Sequence, residues 1–241
     1  VDYETFTFDE KRFPLKNITK LMEKYRYVLT VPAGIKVNGS AYAEAQKRGV
    51  VLKSAEGSEF VGSGLAGKSV FVDYFHANAS AYWEAMLGVL YNKVKFSGVW
   101  LTMNEPTNLC DGPCEQQNKT GFDFSKDLPY TPGSVNIETS TVSLNATHAS
   151  GRLEADVHPF NGFIQSSITQ AFLVSKGHQF PFVMSDSVTF GSNKFAFHST
   201  GPNQATFEGL KTSIFHNFNL QLWGNQLTGS DICGYHGNTT A

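Results

Sequence analysis

Charge is scarce in this chain. Asp, Glu, Lys and Arg make up 17% of its 241 residues, against about a quarter in an average soluble domain. The two signs nearly cancel, to −2, so the overall basic surface that nucleic acid requires is missing and no nucleic-acid partner is expected. No apolar run approaches the roughly 18 residues of a membrane-spanning helix. No phosphate-cradling glycine pattern follows any strand-like segment, which disfavours a dinucleotide fold, and no cofactor is expected. Cysteine is limited to three, an odd number. Cys110 and Cys114 are close enough to bridge across a small loop. Cys233 is then either a buried thiol or half of a disulfide whose partner lies beyond Ala241. Asp111 and Glu115 lie near the close pair, but they read as a solvated loop, and no metal is expected.

Apolar residues, at 41%, are enough for a sizeable core. N-x-S/T sequons begin at Asn17, Asn38, Asn78, Asn118, Asn145 and Asn238. That signal is read only in the secretory pathway. Six in so uncharged a chain point to a secreted, lysosomal or cell-surface glycoprotein. Val1 shows no signal peptide, so a targeting segment would have been removed or would lie outside this chain.

Val1-Asp2-Tyr3 reads as the end of a strand. After a polar loop at 4–16, Ile18, Leu21, Met22 and Tyr25 recur at helical spacing and predict a short amphipathic helix. A strand follows at 27–32, stopped by Pro32. Residues 33–77 read as irregular, with strand-like pieces at 49–52 and 69–72. Asn78 or Ser80 then caps a helix carrying Tyr82, Trp83, Met86, Leu87, Leu90 and Val94 on one face. Residues 106–157 form a long polar insertion, peripheral or functional. A helix is predicted over 158–176, a strand over 181–185, a loop over 186–202, a helix over 203–222 and a last strand over 226–231. This β-α alternation predicts a parallel sheet with right-handed crossovers. The fold class is α/β: a partial (β/α)8 TIM barrel of about four βα units, too few to close.

The chain is organised around Gly98-Val99-Trp100-Leu101-Thr102-Met103-Asn104-Glu105-Pro106. A short apolar run ending in polar groups reads as a central parallel strand whose tip carries the chemistry.

Trp100 to Pro106 resembles the W-x-D-M-N-E-P signature of glycoside hydrolase family 31, the α-glucosidases, with five of six defined positions identical. Asn108 to Cys114 resembles the family's cysteine-bearing loop. Ser185 to Asn203 aligns without gaps with its S-R-S-T-F-x-G-S-G-R-Y-A-G-H-W-x-G-D-N, and Gly229 to Tyr235 resembles its G-A-D-I-C-G-F. The resemblance covers essentially the whole chain and implies that residues 1–241 are the central segment of one larger barrel, with 106–157 inserted in it. It also implies that Cys233 pairs with a cysteine beyond Ala241.

The family's retaining reaction uses two carboxyl groups about 5 Å apart. The resemblance places the nucleophile at Thr102 and the acid/base at Pro202. A threonine hydroxyl without a base is a poor nucleophile, and proline cannot titrate. The sugar-binding Arg corresponds to Asp186 and the Trp before the acid/base loop to Ser199. Val31 stands near a family Asp, and the loop near Lys68 to Asp73 is shortened. Trp100, Met103, His198, Asp231 and Tyr235 remain as sugar-contacting positions, with Glu105 orienting its neighbours.

The expectation is an α-glucosidase-like protein that has lost its reaction and serves as a structural or interaction glycoprotein, with at most weak affinity for an α-glucoside or glycan. The expected partners are the rest of the barrel and proteins that the sequence does not name. Two alternatives stay open. One is a retaining α-glycosidase using relocated carboxylates from Asp186, Glu105 and Asp231. The other is a weak carbohydrate-binding module built on Trp100, Asp231 and Tyr235.

Overall fold

A computed structural model describes residues 3–110, 114, 124, 127–131 and 136–239. In chain order it runs α1 (Leu15–Met22), β1 (Val28–Pro32), β2 (Ile35–Lys36), α2 (Ser40–Arg48), β3 (Val61–Gly64), β4 (Gly67–Val70), α3 (Ala79–Lys93) and β5 (Gly98–Thr102). It continues through α4 (Glu154–Val157), α5 (Asn161–Ser175), β6 (Phe182–Ser185), β7 (Phe197–Ser199), α6 (Phe207–Leu222) and β8 (Thr228–Gly229).

Strands β1-β5-β6-β7-β8 form one sheet in that order, every neighbouring pair parallel. Helices α1, α3, α5 and α6 precede β1, β5, β6 and β8 in the chain. The predicted α/β class and partial barrel are present, with five parallel strands rather than the four expected. The extra strand, β7, lies inside the predicted loop at 186–202. It is three residues long, too short for any alternation to show.

Register decides which side chains meet. Val31 pairs with Leu101, and Leu101 with Ser185, which pairs with His198. This row faces the helices, because side chains alternate along a strand. Against it pack Tyr82, Trp83, Leu87 and Leu90 of α3 and Ile168, Phe172 and Leu173 of α5, all buried. Each large side chain so buried contributes about 1.5–3 kcal/mol. The Trp83 indole is fully buried and donates to Thr169 Oγ1 at 2.9 Å, so the heaviest ring in the core leaves no polar atom unmet. Thr30, Trp100 and Met184 form the opposite row, toward the barrel interior.

Residues 33–77 are more ordered than predicted. They hold α2 and a small antiparallel sheet, β2-β4-β3. Helix α2 buries only Ala41 and Ala45, so its sequence shows no apolar stripe. The helix expected near 17–25 spans Leu15–Met22 and buries no residue. The one expected from 203 begins at Phe207, where the Thr206 side chain accepts from Gly209 N and caps it. Asn78 is the N-cap residue of α3 but makes no side-chain cap; its amide donates to Arg48 O instead.

Residues 106–157 are not peripheral throughout. Val142, Leu144 and Ala146 are buried, and Val142 and Ala146 join Leu52, Phe60 and Phe71 in a second small core. Cys110 and Cys114 form a disulfide, whereas Asp111, Glu115 and Asn118 lie outside the described residues, as do Val1 and Asp2. Tyr3 sits in a turn, not at a strand end.

Candidate active site

The tip of β5 meets the tip of β6 through one carboxylate. Asp186, directly after β6, is buried. Its Oδ1 accepts from Trp100 Nε1 at 3.0 Å. Its Oδ2 accepts from Thr102 Oγ1 at 2.8 Å and from the Met103 backbone N–H at 3.0 Å. Three donors from one short stretch of the signature therefore converge on one acid. Met103 reaches this geometry with φ +56°, a left-handed backbone that a non-glycine residue adopts at a cost of order 1–3 kcal/mol. The turn points its N–H at Asp186.

Beneath this pair lies Asn104, 2% exposed. Its amide donates to Gln165 Oε1 on α5 and to Ser185 Oγ, and its Oδ1 accepts from Ser187 N. Gly162 lets α5 come this close, since a Cβ there would collide with Ser187. The strand tips are thus fixed from below by neutral hydrogen bonds.

Glu105 follows, joined to Pro106 by a cis peptide. Burial pushes its carboxyl above the usual range, and the charge of Asp186 adds to that shift. Thr107 Oγ1 donates to it at 3.0 Å. Asp186 and Glu105 thus lie at adjacent strand tips, Asp186 bonded to Met103 N two residues before Glu105.

Other positions named from sequence are not gathered here. His198 lies in the helix-facing row beside Ser185, opposite in facing to Trp100. It is 2% exposed, and burial pushes its imidazole down toward the neutral form. Asp231 lines a separate cavity of about 360 Å³ with Asn203, Phe207, Leu210 and Cys233. Tyr235 is exposed and its ring packs edge-on against His236. Pro202 is exposed. Cys233 is exposed and unbridged, which overturns the buried-thiol reading.

A second cluster was not visible in the sequence. His148, from the 106–157 segment, shares Nδ1 with Asp73 Oδ1 at 2.7 Å and Nε2 with Glu154 Oε2 at 2.7 Å. Glu154 also takes His158 Nδ1 at 2.8 Å and Asn161 Nδ2 at 2.7 Å. Burial alone would lower the His148 pKa, but the two carboxylates outweigh it and raise it to about 9. Burial would raise Asp73 and Glu154, but their hydrogen bonds to His148 and other donors hold both below the usual range. The partners are 75 and 6 residues from His148. Only the shorter spacing offered a signal, and it lay in a segment read as loop. Among the described residues no group of three or more His, Cys, Asp or Glu side chains is arranged to hold a metal ion.

A family model described as the glycosyl hydrolases family 31 TIM-barrel domain matches residues 1–241. The α-glucosidase of Mucor javanicus is 29% identical over all of this chain and 33% of its own length. Lysosomal α-glucosidase of Rattus norvegicus is 30% identical over 89% of this chain and 23% of its own. A crystal structure of the ER glucosidase II heterodimer, catalytic subunit with the binding domain of the regulatory subunit, superposes with a TM-score of 0.79 at 25% identity. It covers 99% of this chain and 24% of that one. The chain thus spans a quarter to a third of the length of these relatives. A family match from the first residue to the last, on a parallel α/β sheet with the signature at a strand tip, places this chain in glycoside hydrolase family 31.

Proposed function

We propose that this chain is a non-catalytic member of the family, retained as a structural or interaction glycoprotein of the secretory pathway. One observation carries the reading: the hydroxyl of Thr102, at the position the resemblance assigns to the nucleophile, donates to Asp186 at 2.8 Å. A retaining mechanism needs one carboxylate free to attack the anomeric carbon and a second group to protonate the leaving oxygen. Here the carboxylate that joins β5 to β6 has both oxygens occupied by Trp100, Thr102 and Met103, and Pro202 has nothing to titrate. The secretory placement is supported by the six sequons and the Cys110–Cys114 bridge, and by relatives named as lysosomal and ER enzymes. The glucosidase II catalytic subunit associates with a regulatory subunit, which supports an interaction role. We read the five parallel strands as part of an eight-stranded barrel that carries 106–157 as an insertion.

A second reading has a specific observation behind it. Glu105 has the raised pKa that a general acid needs, and Asp186 is its neighbour, so the two are the candidate relocated pair. Assay with an activated aryl α-glucoside separates the readings. Wild type, Glu105→Gln and Asp186→Asn should all stay at the uncatalysed rate, and wild-type turnover abolished by Glu105→Gln would overturn the non-catalytic reading. Residual sugar affinity is read by calorimetry with maltose; binding heat that disappears in Trp100→Ala would identify Trp100 as its platform.

A further inference from the structure

The end of the sheet opposite the signature carries a cavity of different character. The linker entering β1, the linker entering β5 and the turn before β6 surround about 790 Å³, lined among others by Lys24, Arg26, Lys93, Lys95 and His178. A neighbouring cavity of about 570 Å³ shares Arg26, Ser97 and His178 with it, so the two form one floor. Lys176, which ends α5, stands over the rings of Tyr91 and Phe172. In a chain of net charge −2, five cations meet here.

Their counter-charges are few. Lys93 pairs with Glu10 at 3.0 Å, and Glu23 lies on the rim. Among the described residues no carboxylate lies within ion-pair distance of Lys24, Arg26, Lys95 or Lys176. Helix dipoles account for Lys93 and Lys176, which sit at the carboxyl ends of α3 and α5. They do not account for Arg26 and Lys95, which stand on the linkers leading into strands. Lys95 is held 4.6 Å above the Tyr91 ring, which fixes its ammonium while leaving its N–H groups able to donate. His178 lines both cavities, and its Nε2 is buried without a hydrogen bond. Tyr25 adds an exposed ring to the wall.

We propose that this floor binds a compact multivalent anion: the phosphate or sulfate ester of a saccharide. Arg26 offers a planar fork that matches a tetrahedral oxyanion, Lys24 and Lys95 supply point charges, and Tyr25 offers a face for the sugar ring. Concavity favours a discrete ligand over a flat bilayer. The site lies at the opposite end of the sheet from Asp186, so it is independent of any chemistry there and of the non-catalytic reading.

Calorimetry on the intact chain tests this with two probes, glucose 6-phosphate and sucrose octasulfate, at low and physiological salt. At least one should bind, more weakly as salt rises. Arg26→Ser with Lys95→Ser should weaken it about 100-fold, tenfold for each cation removed. Lys47→Ser with Lys211→Ser, the same charge removed from exposed positions on α2 and α6, should leave affinity unchanged. Binding by only one probe identifies the ester. Thermal midpoints of both variants should match wild type, and Lys95→Gln alone should still weaken binding about tenfold. Absence of binding by either probe up to about 10 mM, or equal weakening in both double variants, overturns the proposal. So does binding confined to anionic vesicles.

Discussion

Two acid clusters in this molecule look alike and behave differently. Asp186 and Glu154 are both buried, and each accepts three hydrogen bonds. Around Asp186 the donors are an indole, a hydroxyl and a backbone amide, all neutral. Around Glu154 they are two imidazoles and an amide, with Asp73 on the far side of His148. The first cluster ties two adjacent strand tips. The second ties the segment 148–161 to the loop ahead of α3 by an ion network. A buried ion network whose members depend on one another is costly to break, because removing one leaves the rest uncompensated. A carboxylate held by neutral donors is easier to replace, since each donor can find water at the open strand edge.

The sharpest way to break the contrast is His148→Gln. It should cost about 3–5 kcal/mol by stranding Asp73 and Glu154, seen as a thermal midpoint lower by roughly 10 °C. A loss below about 1 kcal/mol would mean that the network is not a clamp. The pH profile comes next. Because His148 is raised to about 9, its stabilisation is complete below the unfolded value near 6.5 and fades as pH climbs through 9. Asp73 and Glu154 are depressed, so their contribution is present above about pH 4.5 and fades in stronger acid. Stability should therefore peak between about pH 5 and 6.5, and the alkaline decline should flatten in His148→Gln.

At the other cluster, Asp186→Ala should cost about 1–3 kcal/mol in chemical denaturation, less than His148→Gln. Of similar size is a coupling test. Thr102→Asp sets a second carboxylate beside Asp186, and like charges so close cannot both ionise. Thr102→Asp with Asp186→Arg converts repulsion to attraction. The double variant should be more stable than the two single effects sum to, by about 1–3 kcal/mol; strict additivity would mean that the two positions do not interact. Least of all, Phe215→Ser on α6 should change stability by under about 0.5 kcal/mol, since that ring is 58% exposed. Phe172→Ala on α5, 4% exposed, should by contrast cost about 3–5 kcal/mol.

What was legible from sequence was contiguous. Trp100 to Pro106 announced a strand tip because apolar and polar residues change over within a few positions. The stripes of α3 and α5 announced helices because their apolar residues recur at helical spacing; Tyr82, Trp83, Met86, Leu87 and Leu90 of α3 and Ile168, Phe172 and Leu173 of α5 are in fact buried. What stayed hidden was either too short or too far apart. Three-residue β7 cannot display a period, and α2 is covered through alanines. Trp100 and Asp186 are separated by 86 residues and Asp73 and His148 by 75, distances that no local pattern spans. From sequence, Asp186 read as a reversed charge at a sugar-binding position; its role as the acceptor joining β5 to β6 depends on register, which sequence does not carry. Helical periodicity also says which residues share a face, not whether that face is covered, and α6 shows the difference.

Helix α6 has the length and apolar content of α5, yet Leu220 is its only buried residue. Phe207, Leu210, Ile214, Phe215, Phe218 and Leu222 are all more than half exposed. So long an uncovered stripe exceeds what dispersed surface hydrophobics explain. The colloidal behaviour of this polypeptide should therefore depend strongly on one helix. Self-association should rise with concentration, and it should fall when serines replace the α6 phenylalanines, with no change in the far-ultraviolet signature of the barrel.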